Sequence, residues 1–186
     1  MRGSVICNFS MKIFLIGPGG VGKTTCGIIL AKLLGYNFID LDAEFCNRVE
    51  NVGTFINNNG YEKYCVENSQ LFYKVLSENY KNFVFALSSG FLVHEGLDKL
   101  TSKHRQTLKE SGFSILLLPS ESLDESLRIV IKRQLSRGFG LAEDKEKIKF
   151  TQRFHSYKGL GDITVFSHDN PEIIAEQIKK EIALYE

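Results

Sequence analysis

Short apolar runs alternate with longer segments of mixed polarity along this chain. Apolar runs of this length are typical of buried strands, and they predict strands at residues 12–16, 37–40, 82–87, 114–118 and 163–166. The segments between them predict helices at residues 25–34, 42–50, 54–58, 61–79, 98–111, 123–135, 146–157 and 171–184. Because strands that alternate with helices form a parallel sheet covered on both faces, the pattern predicts an α/β protein.

The loop between the first strand and the first helix has the pattern G-x-x-x-x-G-K-[ST], written here as Gly-Pro-Gly-Gly-Val-Gly-Lys-Thr over residues 17–24. Such a loop curls its backbone N–H groups around a phosphate at a helix N-terminus. The alternative is a glycine-rich turn that binds nothing, but the flanking strand and helix favour the phosphate-binding loop. We expect the nucleotide to be bound by Gly17, Gly19, Gly20, Val21, Gly22, Lys23, Thr24 and Thr25. Lys23 would reach the β- and γ-phosphates, and the Thr24 hydroxyl would bind Mg²⁺.

Two carboxylates, Asp40 and Asp42, follow the second predicted strand. Ligands of parallel sheets bind at the carboxyl ends of the strands, where the phosphate loop also lies. Both carboxylates could therefore serve one centre that holds Mg²⁺ and substrate. The alternative is that Asp42 is only the N-cap of the helix that follows, and the spacing alone leaves both interpretations open.

Composition limits the kind of protein. With 186 residues, 43% hydrophobic content, 24% charged residues and a net charge of +1, the chain is predicted to form one domain over residues 11–186. We expect a cytoplasmic monomer that binds neither nucleic acid nor a membrane, because the charge is balanced and no apolar stretch approaches about 18 residues. The four cysteines form no C-x-x-C pair and are expected to be reduced. Residues 1–10 are treated as an N-terminal extension.

The combination of motifs resembles the shikimate kinase family over residues 11–186. The resemblance rests on the phosphate loop, Phe-Ile-Asp-Leu-Asp at 38–42, Val-Gly-Thr-Phe-Ile-Asn-Asn-Asn-Gly at 52–60, Ser-Arg-Gly at 136–138, Arg-Phe-His-Ser-Tyr at 153–157 and Asp-Asn-Pro-Glu at 169–172. It implies a P-loop kinase fold with strand order 2-3-1-4-5, a substrate-binding insert near 43–80 and a lid near 136–144. It also implies ATP and Mg²⁺ as cofactors and phosphorylation of a shikimate hydroxyl, in the shikimate pathway of aromatic amino acid biosynthesis.

The resemblance implies a role for individual side chains. Asp40 would hold Mg²⁺ through water, and Asp42 would bind the acceptor hydroxyl as its base. Arg153 would grip the shikimate carboxylate, since a guanidinium matches a carboxylate at two points. Arg137 would be the catalytic arginine of the lid, and Arg133 would lie near adenine. For Arg137 and Arg153 the alternative is ordinary surface charge, as for most arginines.

One departure from the family lies in the insert. Ungapped alignment places Cys65 where the family has a second arginine for the substrate carboxylate. Loss of one charged contact could weaken substrate binding by about 1.5–3 kcal/mol, the range for a hydrogen bond to an ionised group. Lys63 or a rearranged Arg48 could compensate. Cys65 is nevertheless expected to lie in the substrate-binding site.

A second departure follows the third strand, where Ser88, Ser89 and Gly90 replace the three glycines of the family. Ser89 and Gly90 are expected to bind substrate, and the hydroxyl groups would narrow the pocket or add hydrogen bonds. These departures keep a second hypothesis open, a kinase of another small hydroxylated metabolite. A third is a nucleotide-binding relative without catalysis, which the intact catalytic groups disfavour.

Overall fold

The computed structural model describes residues 11–78, 81–135 and 143–185, and its strands form one parallel sheet in the order β2-β3-β1-β4-β5. The strands are β1 (Lys12–Ile16), β2 (Asn37–Asp40), β3 (Phe83–Ala86), β4 (Phe113–Leu118) and β5 (Ile163–Phe166). The helices are α1 (Lys23–Leu34), α2 (Leu41–Arg48), α3 (Val52–Asn59), α4 (Tyr61–Ser77), α5 (Asp98–Ser111), α6 (Leu123–Leu135), α7 (Glu143–Tyr157) and α8 (Pro171–Ile182). The predicted fold class and strand order are confirmed.

The pairing register brings the ends of the first three strands to one level. Ala86 of β3 pairs with Leu15 of β1 on one side and with Asp40 of β2 on the other. Because all these strands are parallel, their carboxyl ends share one edge of the sheet. The segments that follow β1, β2 and β3 at that edge are the phosphate loop, α2 and residues 88–90. The register of the strands therefore brings the residues of the predicted site close together.

Aromatic side chains fill the core on the side of the sheet that α4 covers. Phe72 of α4 is fully buried, and its ring lies 5.7 Å from that of Phe85 and 4.8 Å from that of Phe91. Phe14 of β1 meets Phe83 of β3 edge-on at 5.9 Å. Burying side chains of this size contributes a large share of folding energy. The predicted insert is therefore anchored in the core by α4.

The start of α2 differs from the prediction, which placed it at residue 42. The helix begins at Leu41, because the side chain of Asp40 is its N-cap. Oδ1 of Asp40 accepts hydrogen bonds from the backbone N–H groups of Asp42 at 3.0 Å and Ala43 at 3.2 Å. The alternative in which Asp42 is the N-cap is therefore wrong, and its carboxylate is available for another role.

The start of α7 also differs, since the helix begins at Glu143 and not at residue 146. The predicted lid at 136–144 thus overlaps the helix at its end. Residues 136–142, with the predicted catalytic Arg137, lie outside the described residues. The predicted limits of the domain and the insert stay predictions. Among the helices of the described ranges, none is long and apolar enough to cross a membrane.

We expect two glycine substitutions to separate steric crowding from backbone strain. Gly112 has an extended backbone (φ 177°), but an added Cβ would lie 2.2 Å from the carbonyl oxygen of Lys12. Gly112→Ala should lower the free energy of unfolding by about 3 kcal/mol through overpacking. Gly35 is left-handed (φ +69°) with no atom within 4 Å of an added Cβ, so Gly35→Ala should cost only about 1 kcal/mol. Urea denaturation measures both, and equal losses would contradict the steric explanation.

Candidate active site

The phosphate loop is held in a shape that only glycine permits at its first position. Gly17 has φ +137°, and an added Cβ would lie 2.4 Å from the carbonyl oxygen of Leu117 in the neighbouring strand β4. Gly22, with φ +96°, is the N-cap of α1 and supplies no side chain to the first N–H groups of the helix. The start of α1 is therefore left open to an anion, as a phosphate site requires.

Lys23 folds back over this loop. Its Nζ donates to the carbonyl oxygens of Gly17 at 2.7 Å and Pro18 at 2.8 Å. These bonds hold the ammonium group above the loop and leave it in reach of a phosphate bound there. A lysine so placed can stabilise the charge that moves between the β- and γ-phosphates during transfer.

Thr24 and Asp40 are joined by a short hydrogen bond, from Thr24 Oγ1 to Asp40 Oδ2 at 2.6 Å. Mg²⁺ prefers oxygen ligands and commonly binds one or two protein oxygens together with phosphate and water. This pair fits that requirement. Within the described ranges no group of three or more His, Cys, Asp or Glu residues could hold a metal ion, so a protein-only cage is not seen there.

Asp42 lies in the first turn of α2, and its carboxylate is bound by side chains from two other elements. Oδ1 accepts a hydrogen bond from Ser88 Oγ at 2.6 Å and a longer one from Tyr64 OH at 3.4 Å. Ser88 comes from the loop after β3, and Tyr64 comes from α4. The carboxylate is thus fixed at the edge of the sheet.

A cavity of about 150 Å³ brings the donor and acceptor groups of the prediction together. Lys23, Thr24, Asp40, Asp42 and Ser89 all line it. The structure therefore places the phosphate loop, the candidate metal ligands and the candidate base around one space, which is the arrangement that phosphoryl transfer needs.

Arg153 is anchored in the site by hydrogen bonds, unlike an ordinary surface arginine. Its NH1 donates to Ser89 Oγ at 2.7 Å, and its NH2 donates to Tyr61 OH at 3.1 Å. Tyr157, one helical turn later, donates to the backbone oxygen of Ser89 at 3.2 Å. An added Cβ at Gly90 would lie 2.8 Å from Arg153 NH2, so glycine leaves room for the guanidinium. The Arg-x-x-x-Tyr spacing places both side chains on one face of α7.

A larger cavity, of about 770 Å³, lies beside Arg153 between α5 and α7. Arg153, Tyr61, His94 and Arg105 are among the residues that line it. The two spaces are linked through the hydrogen bond between Arg153, on the larger cavity, and Ser89, on the smaller one. Of these two cavities the candidate base Asp42 lines the smaller one, which is therefore the candidate site of the reaction despite the greater volume of the other.

A family model described as "Shikimate kinase" matches residues 19–183. The chain belongs to the shikimate kinase family. The pentafunctional AROM polypeptide of Candida glabrata is 27% identical over 179 residues, which are 93% of this chain and 11% of that protein. The chain thus spans about a tenth of the length of that relative. The shikimate kinase of Thermobifida fusca is 28% identical over 171 residues, covering 90% of this chain and 92% of that protein.

The fold agrees with solved members of the family. The structure titled shikimate kinase from Acinetobacter baumannii in complex with shikimate matches with a TM-score of 0.76. The match covers 95% of this chain and 94% of that one at 22% identity, so it supports the architecture alone.

Cys65, at the position of the family arginine, is completely buried in α4. Its Sγ lies 3.3 Å from His94 Nδ1, and burial raises the pKa of the thiol to about 11. The side chain is therefore neutral at physiological pH and exposes no surface that an acceptor could touch. The predicted contact between Cys65 and substrate therefore has no support in this arrangement. Alignment with the family assigned the position in the sequence but could not show whether the side chain is exposed.

The two cations considered as replacements are engaged elsewhere. Lys63 donates to Asn59 Oδ1 at 3.0 Å, and Arg48 forms ion pairs with Glu44 and Glu78. Neither is among the residues that line the two cavities. Neither Lys63 nor Arg48 is thus placed to replace the missing arginine.

Arg133, predicted to lie near adenine, is hydrogen-bonded to the loop after β5. Its NH2 donates to the backbone oxygen of Ser167 at 2.6 Å, just after β5. A cavity of about 200 Å³ beside the phosphate loop is lined by Gly22, Thr25, Arg133 and Asp169, among others. The contact between Arg133 and adenine itself stays a prediction.

Several residues of the candidate site were not predicted from the sequence, namely Tyr61, Tyr64, Asn68, His94 and Arg105. Tyr61 and Tyr64 are three positions apart in α4, so their common face could be read from helical spacing. Nothing in the spacing shows that this face meets Asp42 and Arg153. That information depends on how α4 docks against the rest of the fold.

His94 is a buried, neutral histidine beside the larger cavity. Its Nδ1 lies 2.9 Å from Tyr61 OH. Tyr61 OH already accepts a hydrogen bond from Arg153 NH2, so its own hydrogen is available for a hydrogen bond to His94 Nδ1. Burial, with a further contribution from the charge of Arg153, lowers the pKa of His94 to about 4.

We expect this histidine to make the fold acid-sensitive. The ordinary pKa of 6.5 applies in the unfolded chain and about 4 in the folded one, so lowering the pH through this window favours unfolding. Between pH 7.5 and pH 5, His94 should remove about 2 kcal/mol from the free energy of unfolding. Urea titrations of wild type and His94→Asn at pH 7.5 and 5 measure this. His104, whose pKa is also lowered by burial, remains in both proteins. An equal pH dependence in the two proteins would contradict the assignment.

Proposed function

We propose that this chain is an ATP-dependent kinase that phosphorylates a hydroxyl group of shikimate. The observation that carries the proposal is the shared cavity, in which the phosphate loop faces Asp42 while Arg153 is bound to its wall through Ser89. Membership of the shikimate kinase family supports the choice of acceptor. The Thermobifida fusca relative, covered over 92% of its length, carries the name shikimate kinase.

The donor half binds and orients the nucleotide. The loop from Gly17 to Gly22 and the start of α1 cradle the phosphates, with Lys23 placed over them. Thr24 and Asp40 are the oxygen ligands suited to Mg²⁺, which would neutralise charge on the phosphates when bound. Arg133 borders the adenine of the nucleotide. Arg137 of the lid, which is not among the described residues, would meet the transferring phosphate.

The acceptor half supplies the base and the carboxylate clamp. Asp42 takes the proton of the acceptor hydroxyl while the hydroxyl oxygen forms a bond to the γ-phosphorus of ATP. The bond between the γ-phosphorus and the oxygen of the β-phosphate breaks, and ADP is released. Arg153 binds the carboxylate of shikimate, and in doing so exchanges its hydrogen bonds to Ser89 or Tyr61. Gly90 gives the guanidinium its space.

A second candidate is a kinase for another small hydroxylated metabolite. The burial of Cys65 and the hydroxyls of Ser88 and Ser89 favour it, because they change the part of the site that would contact the acceptor. The loss of one charged contact lowers the selectivity for a carboxylate. A third possibility, a nucleotide-binding protein without catalysis, is disfavoured by the intact geometry of Lys23 and Asp42.

The proposal is tested by measuring ADP formation with Mg²⁺, ATP and shikimate, beside a panel of sugars and cyclic polyols. We expect shikimate to be the best acceptor. If ATP binds but shikimate is not phosphorylated, and a member of the panel is, the second candidate replaces the first.

Lys23→Ala should lower kcat by at least about a hundredfold, because it removes positive charge from the transferring phosphate. Lys32→Ala is a matched control, since Lys32 is an exposed lysine in the last turn of the same helix. Its kcat should stay within about twofold of wild type, with thermal melts confirming that both variants fold. Full activity of Lys23→Ala would show that this loop is not the catalytic one.

Arg153→Met should raise KM for shikimate by about tenfold or more and leave the affinity for ATP unchanged, since a charged contact to the carboxylate is lost. Arg128→Met, an exposed arginine of α6, serves as the control. Initial rates at varied shikimate and at varied ATP separate the two affinities. An unchanged KM for shikimate in Arg153→Met would count against the clamp.

A further inference from the structure

Ser88 connects the buried interior to the candidate base. The family has glycine at this position, and glycine cannot form a side-chain hydrogen bond. Here Ser88 is almost fully buried, at 4% exposure, and its Oγ lies 2.6 Å from Oδ1 of Asp42. A neutral hydroxyl that touches a carboxylate at this distance can control which way the carboxylate points.

The direction of the hydrogen bonds is fixed by Asn68. Its Nδ2 lies 3.0 Å from Ser88 Oγ, and an amide nitrogen can only donate. Ser88 therefore accepts from Asn68, and its single hydrogen is left for Asp42. The opposite amide orientation would take that hydrogen away from the carboxylate, which can only accept while ionised. Asn68 is fully buried, so it cannot exchange this contact for solvent.

Tyr64 adds a second donor to the same oxygen. Its OH lies 3.4 Å from Asp42 Oδ1, and burial, together with the charge of Asp42, raises its pKa, so the phenol keeps its proton. Oδ1 thus receives two donors, as many as its lone pairs accept. Oδ2 receives no hydrogen bond from the part of the chain that the structure describes.

We propose that Ser88, held by Asn68 and assisted by Tyr64, is a positioning residue that fixes the Asp42 carboxylate and reserves Oδ2 as the oxygen that accepts the acceptor's proton. The inference rests on the proposed function of Asp42. It replaces the symmetric carboxylate of an unaided aspartate, which could accept from two neighbouring hydroxyls, by one with a single available oxygen. The hydroxyl that reacts must then approach Oδ2, because Oδ1 is already occupied by Ser88 and Tyr64. Orienting a reacting group in this way contributes to rate more than to affinity.

The kinetic test compares Ser88→Ala with Ser88→Thr and with Ser69→Ala. Ser69 is the matched control, because it is a buried serine of α4 whose Oγ lies 2.7 Å from His104 Nε2, outside the candidate site. With Mg²⁺, ATP and shikimate we expect kcat of Ser88→Ala to fall about tenfold, the loss expected for one hydrogen bond to a charged group. KM for ATP and for shikimate should stay within about threefold. Ser88→Thr, which keeps the hydroxyl, should retain most of the rate, and Ser69→Ala should keep wild-type kcat.

A kcat for Ser88→Ala that equals the wild-type value, or that falls no further than that of Ser69→Ala, would overturn the inference. If Ser88→Ala does not fold, Ser88→Gly takes its place, because it also lacks the hydroxyl and restores the family residue.

Crystal structures separate this inference from the proposed function, since they need no acceptor. We expect one orientation of the Asp42 carboxylate in wild type and Ser69→Ala, and a rotated or doubled orientation in Ser88→Ala. If wild type fails to phosphorylate shikimate, the proposed function falls, while this comparison still decides the role of Ser88. A single unchanged orientation in Ser88→Ala would overturn it.

Discussion

The carboxylate of Asp40 joins the elements on which the candidate site depends. One oxygen binds Thr24 at the start of α1, and the other starts α2 by capping its N–H groups. These helices follow strands β1 and β2, which are separated in the sheet by β3, so the carboxylate reaches across the end of a strand. It thereby sets the distance between the phosphate loop and Asp42, and the loop that carries Ser88 emerges directly between them. A hydrogen bond from a capping side chain is worth about 1 kcal/mol to the helix, but here it also fixes the spacing between the phosphate loop and the candidate base.

Much of the fold could be predicted because the strands are apolar and the three central ones, β1, β3 and β4, are buried on both faces. The apolar runs predicted the limits of β1, β2 and β5 as the structure has them, those of β3 to within one residue at both ends, and that of β4 to within one residue at its start. The start of α2 was predicted one residue too late because Asp40 is both the last residue of β2 and the N-cap of α2. The pattern of apolar positions cannot show where the strand ends and the helix begins at such a residue. The start of α7 was missed because its first turn is polar and lacks an apolar repeat.

The candidate site was predictable where a local motif carries it, as in the phosphate loop, and not where distant segments meet. Ser88 and Asp42 are 46 residues apart, and Arg153 and Tyr61 are 92 apart, so their contacts depend on the docking of α4 and α7. Alignment with the family identified position 65 as important but could not show that its side chain points into the core. The larger cavity beside Arg153 also escaped prediction, because it is formed between two helices that are far apart in the chain.

The hydrogen bonds of Arg153 have a consequence for how long a ligand stays. Both arms of the guanidinium already rest on neutral hydroxyl groups, those of Ser89 and Tyr61. In the proposed function, an incoming acid would therefore gain only the difference between a charge-assisted bond and the neutral one that it displaces. When the acid departs, the two hydroxyls can bind the partly buried guanidinium again, so that it does not stay without partners. Such a site would bind its ligand weakly and return to its free state without taking up water.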